Sequence, residues 1–201
     1  MDDWRPRLTA LLAEAVEAYG LEPVRDALVA EVERLHASRP APLRVAVPVL
    51  GVAACPTGWV GVVQAPGRPA AVLTSASVAA LVDLARESTE LAVVAVAVDP
   101  EDKSVDLDVS GVEVIEVLAH VSVTRLAGDA AAQGVAERRA ALETAGLAVP
   151  AWFRGSGFGE DDLLDACAAV WTAARHAMGE SEPLPPAPGA PGDGIGASIW
   201  V

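Results

Sequence analysis

The stretch Leu91 to Val98, LAVVAVAV, constrains this chain more than any other. An unbroken apolar run of this length, rich in valine, suits a β-strand and offers water no polar face, so both of its sides must be covered. It falls far short of the roughly 20 residues that cross a bilayer. The residues before it have helical spacing: Val78, Leu81, Leu84 and Ala85 fall on one side, and Ser75 or Ser77 stands where an N-cap hydroxyl belongs. A helix that leads into an all-apolar strand is a crossover. It predicts parallel pairing at the centre of a sheet.

The flanking segments fill in that sheet. Upstream, β-branched runs at Val45 to Val52, Trp59 to Val63 and Ala70 to Leu73 predict a three-stranded antiparallel meander. Its first turn, Cys55-Pro56-Thr57-Gly58, has the proline and glycine of a type I turn, and Gly67-Arg68-Pro69 makes the second corner. Downstream, the pattern predicts a strand over Val112 to Val117, a helix over Gly134 to Ala145 stopped by Gly146, and a loop over Trp152 to Gly159. A long helix over Glu160 to Met178 follows, with acids in its first turn. Residues 181–196 are a Pro/Gly-rich connection to a last strand, Ala197 to Val201, and PLPPAPGAP within them reads as a spacer. The expected class is α/β with a mixed sheet.

The first 42 residues read as a separate helical hairpin. Leu8, Leu11, Leu12, Ala15, Val16 and Tyr19 share one face, Gly20 ends the helix, and Leu21, Val24, Leu28, Val32 and Leu35 form a second stripe before Arg39-Pro40. Such stripes must cover something, either the main domain at 43–201 or another chain.

Of 201 residues, 52% are hydrophobic, enough for one continuous core. Asp and Glu number 28 against 14 Lys and Arg, and the net charge of -14 disfavours nucleic acid as a partner. Cys55 and Cys167 stand far apart and Met1-Asp2-Asp3 lacks a basic leader. Free thiols in a cytoplasmic protein, with no membrane association, are the expectation.

Several segments, in order, resemble a family of predicted ribonuclease H-like nucleases, domain of unknown function 429. GVAACPTGWVGVV, from Gly51 to Val63, is similar to that family's first strand and hairpin, G-V-D-x-C-x-x-G-W. LAVVAVAV resembles its central strand, VIEVLAHVSVTRLAG its E-V-H-P-E-x-S-F segment, AERRAALETAGL and GEDDLLDACAAVWTA its closing helices, and ASIWV its final strand. The resemblance spans Val49 to Val201 and implies a ribonuclease H-like fold. In that family, carboxylates from two strands and a helix are expected to hold divalent ions for phosphodiester hydrolysis. Here the first-strand aspartate falls at Ala53, the central-strand aspartate at Ala97, and the His-Pro-Glu triplet at Leu118-Ala119-His120. The family's insertion after the central strand is replaced by the short bridge Asp99 to Ser110.

Three acidic positions are thus gone together. The remaining candidates are Glu160, Asp161, Asp162 and Asp165 at the helix start, of which Asp161 and Asp165 share a face and are the metal candidates. Asp99 lies two residues beyond Ala97, and Glu116 matches a family glutamate. RGSGFGEDD reads as a flexible loop, because no lysine follows its glycines. Cys55 reads as a packed thiol, and His36, His120 and His176 lack zinc spacing. The expectation is a catalytically degenerate scaffold or regulatory subunit without a cofactor, bound to a protein partner or self-associated through the N-terminal helices. The alternative is a Mg- or Mn-dependent phosphodiesterase using Asp99, Glu116, Asp161, Asp162 and Asp165.

Overall fold

A computed structural model describes residues 4–37, 40–98, 109, 111–127, 134–184 and 199–201. The chain forms two compact units, Met1–Pro40 and Ala41–Val201. The first is a pair of helices, α1 (Trp4–Tyr19) and α2 (Leu21–Ala37), reversed at Gly20, whose φ of +86° favours glycine. Leu12, Ala15, Val16 and Val24 are half-buried in this unit, while Leu8, Leu11, Tyr19 and Leu28 are exposed.

The second unit contains a six-stranded sheet of order β3-β2-β1-β4-β5-β6. The strands are β1 (Val49–Cys55), β2 (Gly58–Gln64), β3 (Ala71–Ser75), β4 (Val93–Ala97), β5 (Glu113–Val117) and β6 (Ile199–Trp200). β1, β2 and β3 form the antiparallel meander, and β4 pairs in parallel with β1 and with β5, which pairs in parallel with β6. The apolar run at 91–98 thus supplies a strand in the middle of the sheet, as its composition requires. β1 begins at Val49, later than the β-branched pattern predicts, because Pro48 has no N–H for a ladder. It runs on to Cys55, which pairs with Gly58 across the two-residue turn Pro56-Thr57. Gly58 has φ +129° and a Cβ there would meet the Ser75 carbonyl oxygen at 2.5 Å, so only glycine fits.

Alternation along the strands sorts the core into two layers. Leu50, Val52, Val94 and Val96 point to one face, covered by α3 (Val78–Arg86) through Leu81, Val82 and Ala85. Ser77 caps that helix, its hydroxyl accepting from the Ala80 N–H at 3.2 Å. Val49, Ala53, Val93, Ala95, Ile115 and Val117 point to the other face, onto α6 (Glu160–His176). From Leu163 to Ala174 every residue of α6 but Asp165 is buried, because α4 (Ala119–Ala127) and α5 (Val135–Thr144) pack over it.

α4 has no counterpart in the sequence reading. Its core, Val121-Ser122-Val123-Thr124, alternates like a strand and is rich in β-branched residues. Burial of Ser122 and Val123 beneath α6 overrides that weak preference. The predicted connection and last strand fall partly at 185–198, outside the described residues. Among those described, β6 is flanked by a bridge from Pro183 to Trp200. No described helix is long and apolar enough to cross a membrane.

Candidate functional site

The register pairs Val52 with Val96, so Ala53 and Ala97 stand one step further on, at the carboxyl ends of neighbouring parallel strands. Both belong to the apolar layer beneath α6, and Ala53 is buried. Two residues back on that face, Gly51 lets the helix backbone rest on the strand. A Cβ there would come within 2.2 Å of the Ala166 carbonyl oxygen and 2.4 Å of the Val170 nitrogen. Strand and helix meet here through small residues, with no oxygen donor from a side chain at 51, 53 or 97.

The start of α6 is held at the same end of β1. Thr57, in the turn that follows β1, donates its hydroxyl to the Gly157 carbonyl at 2.8 Å. The Trp152 indole N–H donates to the Phe158 carbonyl at 2.9 Å. RGSGFG is therefore a folded-back loop, with Gly155 and Gly157 in the left-handed region.

Each of the four acids that follow has a partner. Asp162 accepts from the Gly159 N–H at 2.8 Å, as the N3 residue of a helix does when it reaches back to the cap. Glu160 accepts from Arg139 Nε at 3.1 Å and Nη2 at 2.8 Å, and Arg139 Nη1 donates to the Pro150 carbonyl at 3.4 Å. Arg138 spans the remaining two: its Nη1 lies 3.1 Å from Asp161 Oδ1, and its Nη2 donates to Asp165 Oδ1. Arg138 is only 16% exposed, so this contact is shielded from water more than an ordinary surface pair. Burial pushes the Asp165 carboxyl above its usual range, and the Arg138 guanidinium pulls the other way.

The structure thus brings Asp161 and Asp165 together, as their spacing predicts, but around an arginine. It places Glu116, a candidate only if the chain is an enzyme, on a different face of the sheet from them. Glu116 pairs with Val96 and shares the face of Val114, on the α3 side of the sheet, whereas Ile115 and Val117 face α6. Asp99 lies outside the described residues. His120, where the family's triplet would end, is exposed at the start of α4. Among the described residues, no three His, Cys, Asp or Glu side chains are grouped to hold a metal ion. The donor set at α6 does not fit one, since its carboxylates already face guanidinium groups and a backbone N–H.

The arginines went unread in the sequence. No local signal marks them, since the acids they face lie more than twenty residues further along the chain. Two further polar clusters are structural. Ser122 and Thr172 share a buried hydroxyl hydrogen bond of 3.0 Å between α4 and α6. His176 lies 3.0 Å from Glu113 and 2.9 Å from the Ser181 hydroxyl, with its ring edge-on to Trp200.

Fold and site together define an α/β domain with a mixed sheet and an arginine-bridged acidic helix start. Within it, residues 97–190 match the model of a family described as a protein of unknown function, DUF429. No curated protein and no solved structure matches the chain.

Proposed function

We propose that this chain is a ribonuclease H-like scaffold that acts by binding protein in a reducing compartment and carries out no phosphodiester hydrolysis. The observation that carries this reading is Arg138 bridging Asp161 and Asp165, the two acids best placed to serve as metal ligands. The alanines at 53 and 97 support it, because the strands contribute no carboxylate beside that helix start. So does the net charge of -14, which repels a phosphate backbone where no cation intervenes. An antiparallel meander continued by parallel strands agrees with the ribonuclease H-like order that the resemblance implies. Titration calorimetry with Mg²⁺ and Mn²⁺ tests the reading. The expected result is no saturable heat at millimolar ion, and no cleavage of single-stranded DNA or RNA in the same buffers. Saturable binding that disappears in Asp161→Asn or Asp165→Asn would overturn it.

A further inference from the structure

The helical pair at 4–37 carries an apolar surface in excess of its own seam. Leu8 is 43% exposed and Leu11 64% exposed, and with Ala15 and Ala18 they recur at the three-four spacing of a coiled-coil seam. Ala15 also lines an open groove of about 410 Å³ between the helices, whose other walls include Leu12, Tyr19, Val24, Ala27 and Leu28. The stripe and the groove are continuous.

The charges beside the stripe select its occupant. Arg7 and Glu14 stand immediately before Leu8 and Ala15, one heptad apart on the same flank and opposite in sign. Among the described residues, neither has an ion-pair partner. Within α1, Arg7 in the first turn and Glu17 in the last each oppose the helix dipole. When two copies of one helix pack antiparallel, equivalent flanks face each other. Arg7 of each copy then meets Glu14 of the other, and the two contacts are related by the two-fold axis. A parallel arrangement would set each of these residues against an apolar flank at Leu12 or Tyr19.

We infer that α1 pairs antiparallel with α1 of a second copy, closing the stripe and groove into a helical bundle between two chains. This rests on the scaffold reading above and names its partner as the chain itself. Light scattering of the full chain should give twice its 20.5 kDa mass. Arg7→Glu and Glu14→Arg, both at exposed positions, should each weaken self-association roughly tenfold or more by replacing two attractive contacts with two repulsive ones. The double variant should restore it, and mixing the two single variants should yield a heterodimer, since each supplies the charge the other lacks. A monomer overturns the inference, as does a dimer indifferent to these exchanges. A monomer melting at lower temperature as Leu11→Glu also overturns it, because the stripe would then be covered within the chain. None of these outcomes touches divalent-ion calorimetry, so the scaffold reading stands or falls separately.

Discussion

Replacing Gly51 with alanine should destabilise the domain by driving a methyl group into the backbone of α6. Gly51 lies in β1 with ordinary backbone angles, so the cost is purely steric. The new Cβ would sit 2.2 Å from the Ala166 carbonyl oxygen, 2.4 Å from the Val170 nitrogen and 2.8 Å from Val170 Cγ2. Two of these three are main-chain atoms of α6, a helix buried nearly throughout, so no side-chain rotation relieves the overlap. Overpacking a core typically costs 1–3 kcal/mol, and displacing a helix backbone places Gly51→Ala at the upper end, about 3 kcal/mol. For a domain of this size that is a fall in Tm of roughly 10 °C. Gly61→Ala is the control. Its Cβ would approach Leu50 Cδ1 at 3.0 Å and the Leu81 methyls at 3.4 and 3.5 Å, side-chain ends and not backbone, on the opposite face. The backbone entropy gained by losing a glycine offsets that contact, leaving a change of under about 1 kcal/mol. Urea unfolding followed by circular dichroism, with unchanged slope, reads both values. Equal midpoints for the two variants would refute the close seating of α6 on β1.

Ser122→Ala should cost about 1–2 kcal/mol by leaving the buried Thr172 hydroxyl without its partner, whereas adding Thr172→Val should cost less than the two single changes together. Additive costs in urea unfolding would show that the hydroxyls are not coupled. Burial pushes the Cys167 thiol up to about 12, so in the native protein a thiol-specific reagent should modify half-exposed Cys55 first and reach Cys167 only on unfolding. Equal rates would count against this packing. The Asp165 carboxyl is held above its ordinary 3.8 by burial, with Asp161 and Asp162 adding repulsion and Arg138 opposing. The native state therefore keeps a proton that the unfolded chain has lost, and this contribution to stability declines as pH rises from the ordinary value through the raised one. Relative to Asp165→Asn, the unmodified chain should lose stability over that window, and a relative gain would reverse the sign assigned to Asp165.

What the sequence makes legible here is local. LAVVAVAV announces a strand covered on both sides because no alternative hides eight apolar residues in so short a span, and β4 lies between two parallel neighbours. Ser77 announces the start of α3 because an N-cap needs only residues three apart. The misses depend on distance. Val121 to Thr124 alternates as a strand would, and only packing against α6 makes it helical. Glu116 looks like a neighbour of the other acids until the pleat sends it to the α3 face. Arg138 and Arg139 carry no mark of their partners, since salt bridges between helices leave no periodicity in either one. The same holds for the stripe at Leu8 and Leu11. Its apolar pattern was plain, but the spare flank beyond the seam with α2 emerged only from the burial of Leu12, Ala15 and Val16.

The acids of α6 and the alanines of β1 and β4 are parts of one arrangement. Glu160, Asp161, Asp162 and Asp165 concentrate negative charge on one helical turn and a half, which the positive end of the helix dipole offsets only in part. Arg138 and Arg139 supply the rest, and because both lie on α5, neutralising the acids also fastens α5 to α6. A divalent ion at Asp161 and Asp165 would have to displace Arg138, leaving a largely buried guanidinium unpaired at a cost of several kcal/mol. An ion recovers such a cost through further oxygen ligands. The sheet beneath offers alanine at 53 and 97, and Glu116 is on its far side. Docking α5 and holding a metal would therefore compete for the same carboxylates, so divalent-ion binding at Asp161 and Asp165 should come at the cost of the contact between α5 and α6.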